Sequence, residues 1–228
     1  MVAPLTVHTT LFTVFTMSGQ RDRILVSACE LYLTDGLGGF SMRKLAQRVG
    51  VTAPALYRHY EGKEAVLADV VREGYRTLTR YIYRALSAPT PYERFFGAGE
   101  GYLDFVFDHP RWYSILFTGA ENLGMVAFPK DIEAMHAAIH QFWIDRVREC
   151  MEAGILKKGD PERTSMTMWA HAHGMVQLYH QGHLPIKADE FRALFKASGA
   201  RLMAGVATDE FALELIERQA NEEAALNI

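Results

Sequence analysis

The chain has 228 residues, of which 49% are hydrophobic and 22% charged, and a formal net charge of −3. That composition supports a full apolar core, and it excludes a disordered chain, a disulfide-stapled miniprotein and a uniformly basic coat for nucleic acid. Cys29 and Cys150 lie far apart without CxxC spacing, which points to reduced thiols in a cytoplasmic protein.

The first sixteen residues, MVAPLTVHTTLFTVFT, carry no charge. They lack the basic start and small-residue cleavage site of a secretory leader. Met17 offers a second start, and residues 1–19 are expected to form a flexible extension. No later stretch has eighteen uninterrupted apolar residues, so no membrane span is expected.

From Arg21 onward the apolar spacing is helical. Ile24, Leu25, Ala28, Leu31 and Tyr32 define a first helix, which Gly36 and Gly38-Gly39 end. Ser41 is suited to cap a second helix over Met42 to Val49. Gly50 supplies the left-handed residue of a sharp turn, Thr52 caps a third helix, and Pro54 is tolerated in its first turn. A long helix follows from Lys63 to Leu86. Further helices are expected over Tyr92–Phe107, Arg111–Phe117, Lys130–Ala153, Pro161–Gln181 and Asp189–Val206. Thr208-Asp209-Glu210 could cap one more. No stretch alternates with period two for long, so the fold is expected to be all-α. Residues 20–65 form the expected DNA-binding domain, and 66–228 a larger helical ligand-binding and dimerisation domain.

Two short helices joined at Gly50-Val51-Thr52 make a helix-turn-helix, whose second helix enters the major groove. The residue order fits that use. Val51 and Leu56 face inward, while Ala53, Pro54 and Ala55 are small enough to approach the groove floor and its thymine methyls. Tyr57, Arg58, His59 and Lys63 offer phosphate contacts, and Thr52 with the helix start suits a phosphate as well. Residues 41–60 contain Arg43, Lys44, Arg48 and Arg58 but no acid, whereas acids outnumber bases from Thr77 onward. A plain helical hairpin would not need that imbalance.

The stretch FSMRKLAQRVGVTAPALYRHYEGKEAVLADVV resembles the DNA-binding domain of TetR-family transcriptional repressors. The matches are Phe40, Ser41, Leu45-Ala46, Gly50-Val51, Leu56-Tyr57, His59, Lys63 and Glu64; Arg21 to Gly36 resembles the family's first helix. The resemblance implies that Arg43 reaches a base, usually guanine. It also implies that Ala53 and Ala55 face bases, and that Tyr57, His59 and Lys63 clamp phosphates. Positions 53 and 55 often hold polar readers in the family, and here both are alanine. MTMWAHAHGMVQLYHQGHL and HPRWYSILFTG resemble a C-terminal subtype with a Trp-His-Gly signature, here Trp169, His173 and Gly174. That resemblance implies a helical domain that binds a small effector and dimerises on a double-stranded, near-palindromic operator.

Aromatic residues crowd the second half, and most belong to the core. The expected effector pocket draws on Phe96, Tyr102, Phe105, Trp112, Tyr113, Phe117, Phe142, Trp143 and Trp169. His173 and Gln177, one turn apart, serve as its polar anchors, and the effector is expected to be apolar or aromatic. His136 and His140 share the i,i+4 spacing of a metal pair, yet no third ligand is evident. A structural role is favoured, with a metal-responsive regulator as the alternative. The G-x-S-x-G, H-E-x-x-H and phosphate-loop patterns are absent, so no enzyme and no cofactor are expected; a small His-dependent enzyme is the remaining rival. Gly97-Ala98-Gly99-Glu100-Gly101 reads as small residues at a helix contact or pocket wall.

Overall fold

The computed structural model describes residues 19–214, and their regular elements are helices, with no strand beyond an isolated bridge between Leu156 and Ala207. The expected extension over 1–19 lies outside the described residues except for Gly19. The helices are α1 (Gln20–Gly39), α2 (Met42–Val49), α3 (Ala53–Tyr57), α4 (Lys63–Tyr83), α5 (Pro91–Asp108), α6 (Pro110–Leu116), α7 (Lys130–Glu152), α8 (Pro161–His180) and α9 (Ala188–Val206). Short 3-10 turns cover Arg84–Ser87 and Ala120–Leu123. A further helical run begins at residue 209 and continues to the end of the described residues. The fold is all-α, with an N-terminal helix-turn-helix followed by a larger helical part.

Two compact units divide the chain, and the division falls within α4, after Val70. The first unit comprises residues up to Val70 together with Thr118–Val126. Its core is built from Ile24, Leu25, Ala28 and Leu31 of α1, Met42, Leu45 and Ala46 of α2, Leu56 of α3, and Val66, Leu67 and Val70 of α4. Burying one such leucine or isoleucine contributes about 1.5–3 kcal/mol, so this small core fixes the short α3 through Leu56 alone. Gly36 interrupts α1 with φ of 65°, which brings the expected stop inside the observed helix.

The second unit comprises Val71–Phe117 and the residues from Ala127 onward. Its largest fully buried side chains include Tyr102, Phe105, Tyr113 and Phe191. The Thr90 hydroxyl and the Glu93 carboxylate form a reciprocal cap at the start of α5. Asp160 caps α8 through the amides of Glu162 and Arg163. The glycine-rich stretch of α5 is a close helix contact: a Cβ on Gly101 would lie 2.6 Å from the Tyr81 carbonyl oxygen. The loop after α7 closes on the end of α9, where the Lys157 amide donates to the Val206 carbonyl and the Thr208 amide to that of Ile155.

Candidate functional site

In the first unit, Ser41 is extended and its hydroxyl accepts the Lys44 amide at 3.2 Å, capping α2. Gly50 has φ of 78° and its amide donates back to the carbonyls of Ala46 and Gln47, which ends α2 in one residue. The Val51 amide also reaches the Ala46 carbonyl, so the turn to α3 is tightly held. Thr52 occupies the N-cap of α3, but its hydroxyl makes no capping bond. The Thr52 carbonyl instead accepts the Ala55 and Leu56 amides, so the expected side-chain cap is replaced by backbone bonds. Pro54 sits in the first turn of α3 as expected.

Leu56 is buried, and the side chains around it point outward: Thr52, Pro54, Tyr57, Arg58 and His59 are exposed, and Ala53, Ala55 and Lys63 half-buried. Tyr57 is 56% exposed, unusual for an aromatic ring with no external contact. Ser41 and Arg43 are exposed at the start of α2. Not all of the basic run is available for DNA. Lys44 pairs with Asp35 at 2.8 Å and Arg48 with Glu30 at 3.1 Å, both acids of α1. Arg43 and Arg58 form no ion pair among the described residues, and they carry the outward charge.

A chain of polar contacts steadies the end of α3. The Tyr60 hydroxyl donates to Asp69 at 3.1 Å, and Arg21 reaches the same carboxylate at 3.2 Å. Burial, and then Asp69, pushes the Tyr60 phenol up to about 12. Neither Arg21 nor Asp69 stands out in the sequence as a partner of Tyr60.

In the second unit a small cavity of about 30 Å³ is lined by Tyr75 and Leu78 of α4, Phe117, four residues of α7 (His136, Ile139, His140 and Trp143), and Trp169 of α8. Of the expected pocket residues, Phe117, Trp143 and Trp169 meet here. The others lie elsewhere. Tyr102, Phe105 and Tyr113 are core residues, and Phe142 is buried with its ring stacked on Tyr83 at 4.9 Å. Phe96 packs with Tyr92 against the cluster of Val147, Cys150 and Met203. Trp112 is half-buried on α6, outside the cavity lining.

The two expected polar anchors are already engaged. Gln177 Nε2 donates to the Tyr113 hydroxyl at 3.1 Å, and His173 Nδ1 lies 3.2 Å from the same oxygen. Trp169 stacks on the His173 ring, with centroids 5.5 Å apart and planes 14° apart. Burial lowers the His173 pKa, which favours the neutral ring in this setting. His136 and His140 instead hold the cavity wall. His136 stacks on Tyr75 with centroids 6.2 Å apart. Among the described residues no three His, Cys, Asp or Glu side chains come together to hold a metal ion. The stripe His136, Ile139, His140, Trp143 follows i, i+3, i+4, i+7, which marks one helix face and was visible in the sequence.

Residues 24–70 match the profile of bacterial regulatory proteins of the tetR family. Residues 95–202 match the tetracyclin repressor-like C-terminal domain. The chain belongs to the TetR family. This TetR-family regulator is 27% identical over 99 residues to the HTH-type transcriptional activator FasR of Mycolicibacterium smegmatis, a match covering 43% of this chain and 45% of that protein. It is 41% identical over 59 residues to the tetracycline repressor protein class C of Escherichia coli, covering 26% of each. The matched stretches thus span less than half of these curated relatives. Its fold is that of the ketosteroid transcriptional regulator KstR2 of Mycobacterium tuberculosis, with a TM-score of 0.67 at 20% identity over 83% of this chain and 96% of that one.

Proposed function

We propose that the chain is a repressor that binds a near-palindromic operator as a homodimer and leaves it when a small apolar or aromatic effector binds. Residues 20–65 read DNA in this proposal, and 66–228 take the effector and the second subunit. The observation that carries it is the exposed surface of α2 and α3, where Arg43, Tyr57, Arg58 and His59 face outward beside the small Ala53 and Ala55. Arg43 is the base reader, because bidentate donors to guanine are the commonest specific contact. Ser41, Thr52, Tyr57, Arg58, His59 and Lys63 contact phosphates, which set register and orientation.

The dimer is assigned to α8 and α9. Of the twenty residues of α8 only Ser165 and Val176 are buried, while Met166 and Leu178 of α8 and Leu194 of α9 are exposed. Two such pairs of helices would cover each other's apolar faces. The effector would act on α4, which carries Tyr75 and Leu78 at the cavity and Lys63 at its start. A ligand releases DNA only if it binds the two states unequally, and a shift of α4 would provide that difference.

Selection of operator fragments from random DNA, followed by sedimentation of the complex, tests this reading. A palindromic consensus bound by two chains is expected. No enriched sequence, or binding by a single chain, would overturn it. Reporter expression with and without the gene separates a repressor from an activator, the activity named for the FasR relative. Metal response through His136 and His140 and His-dependent catalysis stay as alternatives without a supporting constellation.

A further inference from the structure

We propose that the cavity of the second unit widens to take a neutral, planar ring bearing one hydroxyl, that is, a phenol, whose hydroxyl pairs with His140 Nε2. The proposal rests on the reading that this unit takes the effector. It names the chemical class and the residue that selects it.

Three observations carry the proposal. The wall consists of rings and aliphatic side chains, Tyr75, Leu78, Phe117, Ile139, Trp143 and Trp169, and includes no Asp, Glu, Lys or Arg. Such a wall favours a flat apolar body and gives no fixed counter-charge to an anion or a polyphosphate. Two histidines interrupt that wall: His136, which is exposed and stacks on Tyr75, and His140. His140 lines the cavity, yet its Nε2 is buried and has no hydrogen-bond partner among the described residues. Leaving such an atom unpaired is costly, and a ligand that supplies the partner recovers that cost.

The partner chemistry follows from the imidazole. A neutral ring offers Nε2 as donor in one tautomer and as acceptor in the other. A hydroxyl both donates and accepts, so it satisfies either form. A carboxylate satisfies only the donor form, and it brings a charge to a wall without a cation. A hydrocarbon leaves Nε2 as it is.

Entry requires movement. The cavity has room for roughly one or two waters, too little for an aryl ring. His136 is exposed and covers Tyr75 by a single stacking contact, so it is the side chain that can turn away into solvent. At the same helix pair, Arg72 of α4 holds Asp131 of α7 through two nitrogens, which keeps the helices together as the rings part. The rival occupants are a metal ion on the two histidines and a structural water on Nε2.

The test uses the full-length protein and three matched probes: 4-ethylphenol, ethylbenzene and 4-ethylbenzoate. Binding is read by tryptophan fluorescence, since Trp143 and Trp169 stand in the wall, and DNA release is measured in parallel on the selected operator. The phenol is expected to bind at least about tenfold more tightly than ethylbenzene, and the benzoate most weakly, because only the phenol pairs Nε2 without adding charge. His140→Leu should invert the order of phenol and ethylbenzene, since the hydroxyl then loses water with nothing in exchange. His140→Gln, which keeps a polar partner, should retain the phenol preference and guards against a folding defect in the leucine variant. Equal affinity for phenol and ethylbenzene in the wild type would overturn the proposal, leaving a water as the partner of Nε2. A phenol preference that survives in a folded His140→Leu would overturn it too, as would binding confined to divalent metal ions and lost in His136→Ala. A phenol that binds selectively without releasing DNA supports the site and sinks the effector reading instead, so the two failures are distinct.

Discussion

Gln177 and Tyr113 are joined by a 3.1 Å hydrogen bond between α8 and α6, and His173 shares the same phenol oxygen. Two groups expected to greet a ligand thus satisfy each other in the folded chain. Nearby, the Tyr102 hydroxyl is buried close to that of Tyr113, and burial, then Tyr113, pushes its pKa well up. Tyr113 is therefore the hub of a polar network inside an aromatic core. Tyr113→Phe is expected to destabilise the fold by about 1–3 kcal/mol, because it leaves Gln177 and His173 unpaired. Urea unfolding measures this, and unchanged stability would return His173 and Gln177 to the pool of ligand contacts.

Two glycines of α5 should respond in opposite directions. A Cβ at Gly101 would meet the Tyr81 carbonyl oxygen at 2.6 Å and carbon at 3.0 Å, both backbone atoms that cannot swing aside. Gly101→Ala is expected to cost about 1–3 kcal/mol through overpacking. A Cβ at Gly99 meets nothing within 4 Å. Gly99→Ala should stabilise the helix, by up to about 1 kcal/mol, through the propensity difference alone. Parallel urea melts of the two variants check the contrast.

These glycines also show how far the sequence could be read. The spacing of GAGEG within a helical run announces a close approach, but it does not say which glycine touches a neighbour. Apart from the Thr52 side-chain cap, which does not form, the helix-turn-helix was legible because its signals are local. Ser41, Gly50 and Pro54 each set the backbone within a few residues, and the structure places all three as expected. The cavity wall was not, because aromatic content alone cannot separate core from lining. Phe117, Trp143 and Trp169 reach the cavity, whereas Tyr102 and Phe105 are packed away by helices distant in sequence. Tyr75 was missed as one more apolar position on α4. His136 and His140 were noticed as an i,i+4 pair and given a structural role ahead of metal binding, but not a place in the cavity wall. The apparent basic patch was also overread, since Asp35 and Glu30 of α1 neutralise two of its four bases.

Stability should fall on mild acidification. Partial burial lowers the pKa of His109 and His173 below the ordinary 6.5. Above that value both the folded and the unfolded chain hold these rings neutral, so the contribution is fully present. As the pH drops through 6.5 the unfolded chain takes up protons first, which favours unfolding until the folded-state values are passed. Urea midpoints should therefore decline from pH 7.5 to pH 5.5, by less in His173→Gln than in the wild type. A flat profile would contradict burial of these rings in their neutral form.

The last expectation separates reading from holding. Arg43 is exposed at the start of α2 and forms no ion pair among the described residues, whereas Lys63 begins α4 and is half-buried. If Arg43 grips a guanine edge, Arg43→Ala should cost about 1–3 kcal/mol of discrimination at one base pair per half-site. Other positions of the operator should keep their ranking. If Lys63 meets a phosphate, Lys63→Ala should weaken specific and non-specific DNA about equally, since phosphates carry no direct sequence information. It should also flatten the dependence of log affinity on log salt by about 0.9 per lost contact, with one contact from each subunit of a dimer. Affinity measured against every single-base operator variant, at several salt concentrations, reads both effects in one data set. A change of base ranking in Lys63→Ala, or an altered salt slope with unaltered ranking in Arg43→Ala, would exchange the two roles.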